Sequence, residues 1–357
     1  RQDYYFRHHV GMQLQMIGET LTGWMAWDMM RGVDLLLERA GVDPKRVILL
    51  GAVAGGGDPA AVTAALDRRI AGVAPFNFGG PQPETRFPLP DDAELSFNVF
   101  GGGSWESTRN IRGSIVNGFP PWVIVGATAP RKLIYAHEFA WDREHDPIWK
   151  RFQKIHSWYD DPDGLAFTFG YGRVTLPSSH ASHCTHIGPT HRKLIYPALE
   201  KWFGIPVPKE EYKNRRDAAE LLCLGSPGAE SISLTPARSL AKLMAEESSE
   251  AFRRQTREKT GSSGAEALQA AWRSKLGAID PESTAKATSA GIETADDIRI
   301  ERFILQTEPA IQVPALLLLP GTKRVGKHPV VVAVAHAGKA GFLAHRSERI
   351  AELLNTG

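Results

Sequence analysis

Arg46-Val47-Ile48-Leu49-Leu50-Gly51-Ala52-Val53-Ala54-Gly55-Gly56-Gly57-Asp58 decides how the rest of this 357-residue chain is read. The apolar run Val47–Leu50 has the character of a short buried strand and stops at Gly51. A turn of small residues leads from there into the helix-prone stretch Pro59–Leu66. Strand, sharp turn and helix in that order form the setting of a Gly-x-Ser-x-Gly nucleophile elbow. Here the frame is Gly51-Ala52-Val53-Ala54-Gly55, so a Val methyl stands where a hydroxyl would be. Val53 can neither attack a carbonyl nor accept a proton.

Working outward, Leu21, Trp24, Met25, Met29, Val33, Leu36 and Leu37 recur at helical spacing within 18–40, and Gly41 ends that helix. After the elbow come a strand at Ile70–Phe76 and a Gly/Pro-rich stretch, 77–125, that includes Asn77-Phe78-Gly79-Gly80-Pro81. Its interspersed aromatics predict an ordered insertion. A strand at 132–136, a helix at 146–159, a strand at 165–169, a His-rich loop at 177–191 and a helix at 192–203 follow. Short buried strands alternating with helices predict an α/β fold with a doubly wound, mostly parallel sheet.

The character changes near 204–235. Pro206, Pro208, the charged run Lys209–Asp217 and Gly225-Ser226-Pro227-Gly228 read as a domain exit. Residues 236–280 read as a charged helical linker broken near Gly261-Ser262-Ser263-Gly264. Then 300–319 has paired-strand character, Pro329–Ala335 reads as an apolar strand of the parallel type, and Arg346–Leu354 as an amphipathic helix. The expected division is therefore 1–222, 223–299 and 300–357. The last segment is either the start of a second module or the complement of the first.

A formal net charge of +2 gives no reason to expect a nucleic-acid or membrane partner. The apolar runs Ala315–Leu319 and Val330–Ala335 are far short of the roughly 20 residues of a membrane span. Two cysteines, Cys184 and Cys223, allow at most one internal disulfide, and whether they pair is open. The chain starts at Arg1 and is expected to be a piece of a longer protein, so its compartment is not legible.

In an elbow-containing sheet the acid follows a later strand, and the His lies in a loop after the last one. Glu138 and Asp142, in His137-Glu138-Phe139-Ala140-Trp141-Asp142, are the candidate acids; a surface carboxylate at a strand end is the plainer reading. The loop Ser178–Gly188 offers His180, His183 and His186, of which at most one is the general base. Three His and a Cys also raise a zinc site, but their spacing follows no usual finger or helical pattern, so neither metal nor cofactor is expected. Asp58 reads as the cap of a helix with Pro59 at its first position. Gly55, Gly56 and Gly57 offer either backbone N–H groups to an anion or close helix–sheet packing. Ser104, Ser107 and Thr108 could lend a displaced hydroxyl. Trp105, Arg109, Arg112 and Trp122 suit a uronic acid or sugar ring, or else make the insertion's own small core.

Gly51–Asp58, Ala129-Pro130-Arg131, Glu138-x-x-Trp141 and His183-Cys184 together resemble the glucuronoyl esterase and acetyl xylan esterase branch of the α/β-hydrolases. The resemblance covers roughly 15–205, and more loosely 300–354. It implies Glu138 as acid and His183 as base, with Asp142 and His186 in reserve, and a carbohydrate ester or uronate as ligand. It also implies a second hydrolase-like module in the parent protein. The departures are Val53, where the family has Ser, and Ala54, where Arg usually follows. Two expectations result: an ester hydrolase lineage, or a catalytically silent relative with a binding or structural role.

Overall fold

The computed structural model describes residues 2–80, 87–91, 93, 111–183, 186–222, 233–257, 262–277, 284–321 and 329–356. The chain divides into two compact units, Arg1–Arg257 and Glu258–Gly357. The expected middle segment, 223–299, is shared between them.

In the first unit four strands lie side by side in chain order, all parallel: β1 (Ile48–Gly51), β2 (Gly72–Pro75), β3 (Lys132–His137) and β4 (Leu165–Phe169). Helices α1 (Gln2–Met16) and α2 (Leu21–Leu37) precede β1, α3 (Val53–Leu66), α4 (Pro121–Gly126) and α5 (Pro147–Ser157) lie in the successive connections, and α6 (Pro189–Phe203) follows β4, with α7 (Ala237–Arg257) beyond. Strand side chains alternate between the two faces of a sheet. Val73, Leu133, Tyr135 and Phe167 enter one core layer with residues of α2, α3, α4 and α5. Ala74, Phe76, Ile134 and Ala136 enter the opposite layer with Ile195, Ala198 and Leu199 of α6. Each large side chain so buried contributes about 1.5–3 kcal/mol. Helices on both faces make the sheet doubly wound, as the alternation of elements predicts.

Local chemistry fixes the element ends. Thr20 caps α2 by accepting the Gly23 N–H at 2.9 Å. Asp146 caps α5 by accepting from Ile148 at 2.8 Å and also accepts the Trp141 indole N–H at 2.8 Å. The Arg131 guanidinium donates to the carbonyls of Asp67 and Ile70 at 2.9 and 3.0 Å, and to that of Ala64, tying β3's entry to the end of α3.

Two expectations are corrected. Helix α3 begins at Val53, six residues before the expected start, with Ala52 as an N-cap that makes no side-chain bond. Asp58 is therefore a completely buried residue inside the helix, not its cap, and Pro59 is also internal. The other correction falls in the second unit. It contains α8 (Ser262–Leu276), an antiparallel sheet of β5 (Lys286–Ala295), β6 (Ile298–Glu308) and β7 (Ile311–Pro320), and α9 (Gly338–Thr356). Strand β5 extends the expected hairpin to three strands. Residues 329–335 join neither sheet, and Val332 and Val334 are 85% and 93% exposed. Apolar composition fits a strand for burial, but a strand also needs a neighbour to complete its hydrogen bonds.

Candidate functional site

In a parallel sheet all strands end on the same edge, and ligands bind beyond those carboxyl ends. The residues that follow β1, β2, β3 and β4 are Val53, Asn77, Glu138 and the loop carrying His183.

Val53 occupies the left-handed region, with φ +54°. This conformation is uncommon outside Gly and strained for a β-branched residue. It is the sharp strand-to-helix corner that the sequence frame predicts. The corner depends on close backbone approach. A Cβ on Gly51 would lie 2.1 Å from the Gly56 carbonyl oxygen, and one on Gly57 would lie 2.2 Å from that of Phe76. Gly56 and Gly57 therefore serve close packing. The Gly55 Cβ position instead looks toward the Arg7 guanidinium of α1, 3.8 Å away.

Glu138 directly follows β3 and is completely buried. Asn77 holds it at two points: Asn77 Nδ2 donates to Glu138 Oε2 at 2.8 Å, and Glu138 N–H donates to Asn77 Oδ1 at 3.0 Å. A third tie comes from the first turn of α6. His191 Nδ1 accepts the Gly188 N–H at 3.0 Å, which leaves Nε2 protonated to donate to the Glu138 carbonyl at 2.9 Å. Burial, outweighing the bond to Glu138, pushes the His191 imidazole below its usual range, so it stays neutral.

The reserve acid Asp142 is engaged elsewhere. Its carboxylate accepts the Leu89 N–H at 3.0 Å and meets His145 Nδ1 at 3.0 Å. Burial raises that carboxyl, but the bonds and charge of His145 and the Leu89 N–H outweigh it and hold the group low.

His183 is exposed on the loop after β4, with its ring edge-on to His186 at 6.2 Å. The residue before it is pinned: Ser182 Oγ accepts the Tyr171 N–H at 2.8 Å, and Ser182 N–H donates to the Tyr171 carbonyl at 2.8 Å. Gly170 makes room for this. A Cβ there would lie 2.0 Å from Ser182 Oγ and 2.1 Å from the Glu138 carbonyl oxygen. Both atoms flank one point, so the loop reaches the Glu138 backbone one residue before His183.

Trp105, Arg109, Ser104, Ser107, Thr108, Cys184 and Cys223 lie outside the described residues. Arg112 is exposed on a turn, and the Trp122 ring is covered by the Arg151 guanidinium at 4.8 Å. Among the described residues no cluster of three or more His, Cys, Asp and Glu side chains could hold a metal ion, and no helix is long and apolar enough to cross a membrane. Asn77 and His191 carry no sequence signal of their own: one lies in a Gly/Pro run, the other at the edge of an expected helix.

A strained corner at Val53 follows the first parallel strand, and Glu138 and the loop carrying His183 follow later strands of the same sheet. The fold is a doubly wound, parallel α/β sheet. No family model and no curated protein matches the sequence. Among solved structures the chain is similar to a methylesterase at 19% identity, covering 52% of this chain and 36% of that one, with a TM-score of 0.37. It is similar to a carbohydrate esterase family 15 glucuronoyl esterase from Caldicellulosiruptor kristjansonii at 19% identity, covering 59% and 56%, TM-score 0.33. It is also similar to a structure described as an acetyl xylan esterase from Bacteroides fragilis at 20% identity, covering 55% and 52%, TM-score 0.38. The chain thus spans about a third to just over half the length of these structures.

Proposed function

We propose that this chain carries a carbohydrate-esterase site that has lost its nucleophile and kept its acid and base, and that it binds esterified or uronic-acid-bearing sugars without cleaving them. The observation that carries this reading is Val53, which takes up the strained φ of +54° of an elbow while presenting only methyl groups. In the intact chemistry a hydroxyl at that corner attacks the ester carbonyl, an imidazole takes its proton, and a carboxylate orients the imidazole. Glu138 is the carboxylate and His183 the imidazole in this proposal. The fixed Glu138 and the loop anchored at Ser182 support both roles. Arg109, Arg112 and Trp105 are the proposed ligand contacts, on the chemistry of their side chains. The second unit is proposed as the opening of another module of this kind, since its antiparallel strands precede a helix, the order in which an α/β-hydrolase sheet opens.

Hydrolysis of an activated acetyl ester and of a methyl glucuronate ester tests the reading, with His183→Ala as background. The unmutated chain is expected to show no turnover above that background, while calorimetry detects binding of methyl glucuronate. Turnover that disappears in His183→Ala would overturn the silent reading.

A further inference from the structure

We propose that Asn77 is the positioning residue of the site: its amide clamps Glu138 so that the second carboxylate oxygen is presented to His183. This inference rests on the acid and base roles proposed above.

The orientation of the Asn77 amide follows from chemistry. The Glu138 backbone N–H, 3.0 Å away, can only donate, so it must face Oδ1. The Nδ2 end is then directed at Glu138 Oε2, 2.8 Å away. A flipped amide would set donor against donor at one contact and acceptor against acceptor at the other. The amide therefore stabilises the ionised carboxyl and fixes its plane, where burial alone would favour the neutral acid.

The backbone shows why Asn stands here. Asn77 has φ +56°, a region that Gly enters without penalty and that Asn tolerates better than most residues. Gly would satisfy the backbone but leave Glu138 unclamped, and Asp would set a second carboxylate against the first. Asn alone among the three meets both demands. Two neighbours complete the clamp from other elements. His191 holds the Glu138 carbonyl from α6, and the Asn77 N–H donates to the Ala136 carbonyl at 2.9 Å, locking the clamp to β3.

A purely structural Asn77 would tie two strand ends together and leave the reactivity of a hydroxyl at position 53 untouched, so the test reads that reactivity. The rate at which a fluorophosphonate labels Val53→Ser in the full chain is followed by intact mass, with urea unfolding of each variant alongside. Adding Glu138→Gln is expected to slow labelling by about tenfold or more, through loss of the carboxylate that orients the base. Adding Asn77→Gly, which keeps the backbone conformation accessible, is expected to slow it by about threefold or more with stability retained. If Glu138→Gln slows labelling and Asn77→Gly does not, the positioning role is overturned and the acid–base pair stands. If Glu138→Gln leaves the labelling rate unchanged, the pair itself fails, and the clamp with it. A measurement independent of Asn77→Gly folding is the carbon-13 titration of the Glu138 carboxyl in the unmutated chain. It is expected to be ionised at pH 7, and a protonated carboxyl there would overturn the proposal.

Discussion

The ring of His191 and the carbonyl of Glu138, 53 residues apart in sequence, are joined by a buried 2.9 Å hydrogen bond. The same ring accepts the Gly188 N–H, so one neutral imidazole satisfies two buried backbone groups and ties α6 to the Glu138 peptide. His191→Leu would leave a donor and an acceptor unpaired, at about 1–3 kcal/mol each. The expected outcome is a loss of roughly 2–6 kcal/mol in urea unfolding, with an unchanged slope. A loss below 1 kcal/mol would mean that this tie is not needed to hold the loop.

Gly170 is the point at which the His loop meets the Glu138 backbone. Alanine there would place its Cβ 2.0 Å from Ser182 Oγ and 2.1 Å from the Glu138 oxygen, and the second of these is backbone. Overpacking of this kind costs about 1–3 kcal/mol or more. Gly170→Ala is expected to lower the melting temperature and to shift the His183 and His186 NMR signals. Unchanged signals would contradict the placement of this loop against Glu138.

Much of this arrangement was legible in the sequence, for a physical reason. The short apolar runs in 132–136 and 165–169, and the helical spacing in 18–40, are local properties, and the strands and helix form where they predict. Glu138 and the His loop follow strand ends, so chain order places them on one edge of a parallel sheet. Asn77 was invisible because its partner lies 61 residues away and a lone Asn in a Gly-rich run has no spacing to betray it. The start of α3 is not legible in the sequence, because Gly55-Gly56-Gly57 has turn composition. In the fold those glycines are helical, with Gly56 and Gly57 placed by close approach to β1 and to Phe76. Val330–Val334 shows the converse: strand composition without a pairing neighbour yields no strand.

His137, the last residue of β3, gives the fold an acid-sensitive element. Its ring stacks on Trp141 at 4.7 Å and meets Tyr135 edge-on at 4.6 Å, and Nε2 has no hydrogen-bond partner among the described residues. Burial pushes its pKa from 6.5 down to about 3. Between those values the unfolded chain binds a proton that the native chain refuses, so stability falls as pH falls through that window. One such site contributes a slope of up to about 1.4 kcal/mol per pH unit. Urea unfolding at pH 7, 6 and 5 is expected to show a shallower decline in His137→Phe. His156 and His191, also held low chiefly by burial, keep some slope in that variant. Identical slopes in the two proteins would contradict a neutral buried His137.

The central claim is that Val53 is the missing part of an otherwise assembled site. Intact-mass analysis after exposure to a fluorophosphonate, which reacts with base-activated serines, tests it most directly. The unmutated chain is expected to take up no label. Val53→Ser is expected to take up one, mapped to position 53, and Val53→Ser with His183→Ala to lose it. Labelling of the unmutated chain would show another nucleophile at work. A folded Val53→Ser that stays unlabelled would show that the site lacks more than one hydroxyl.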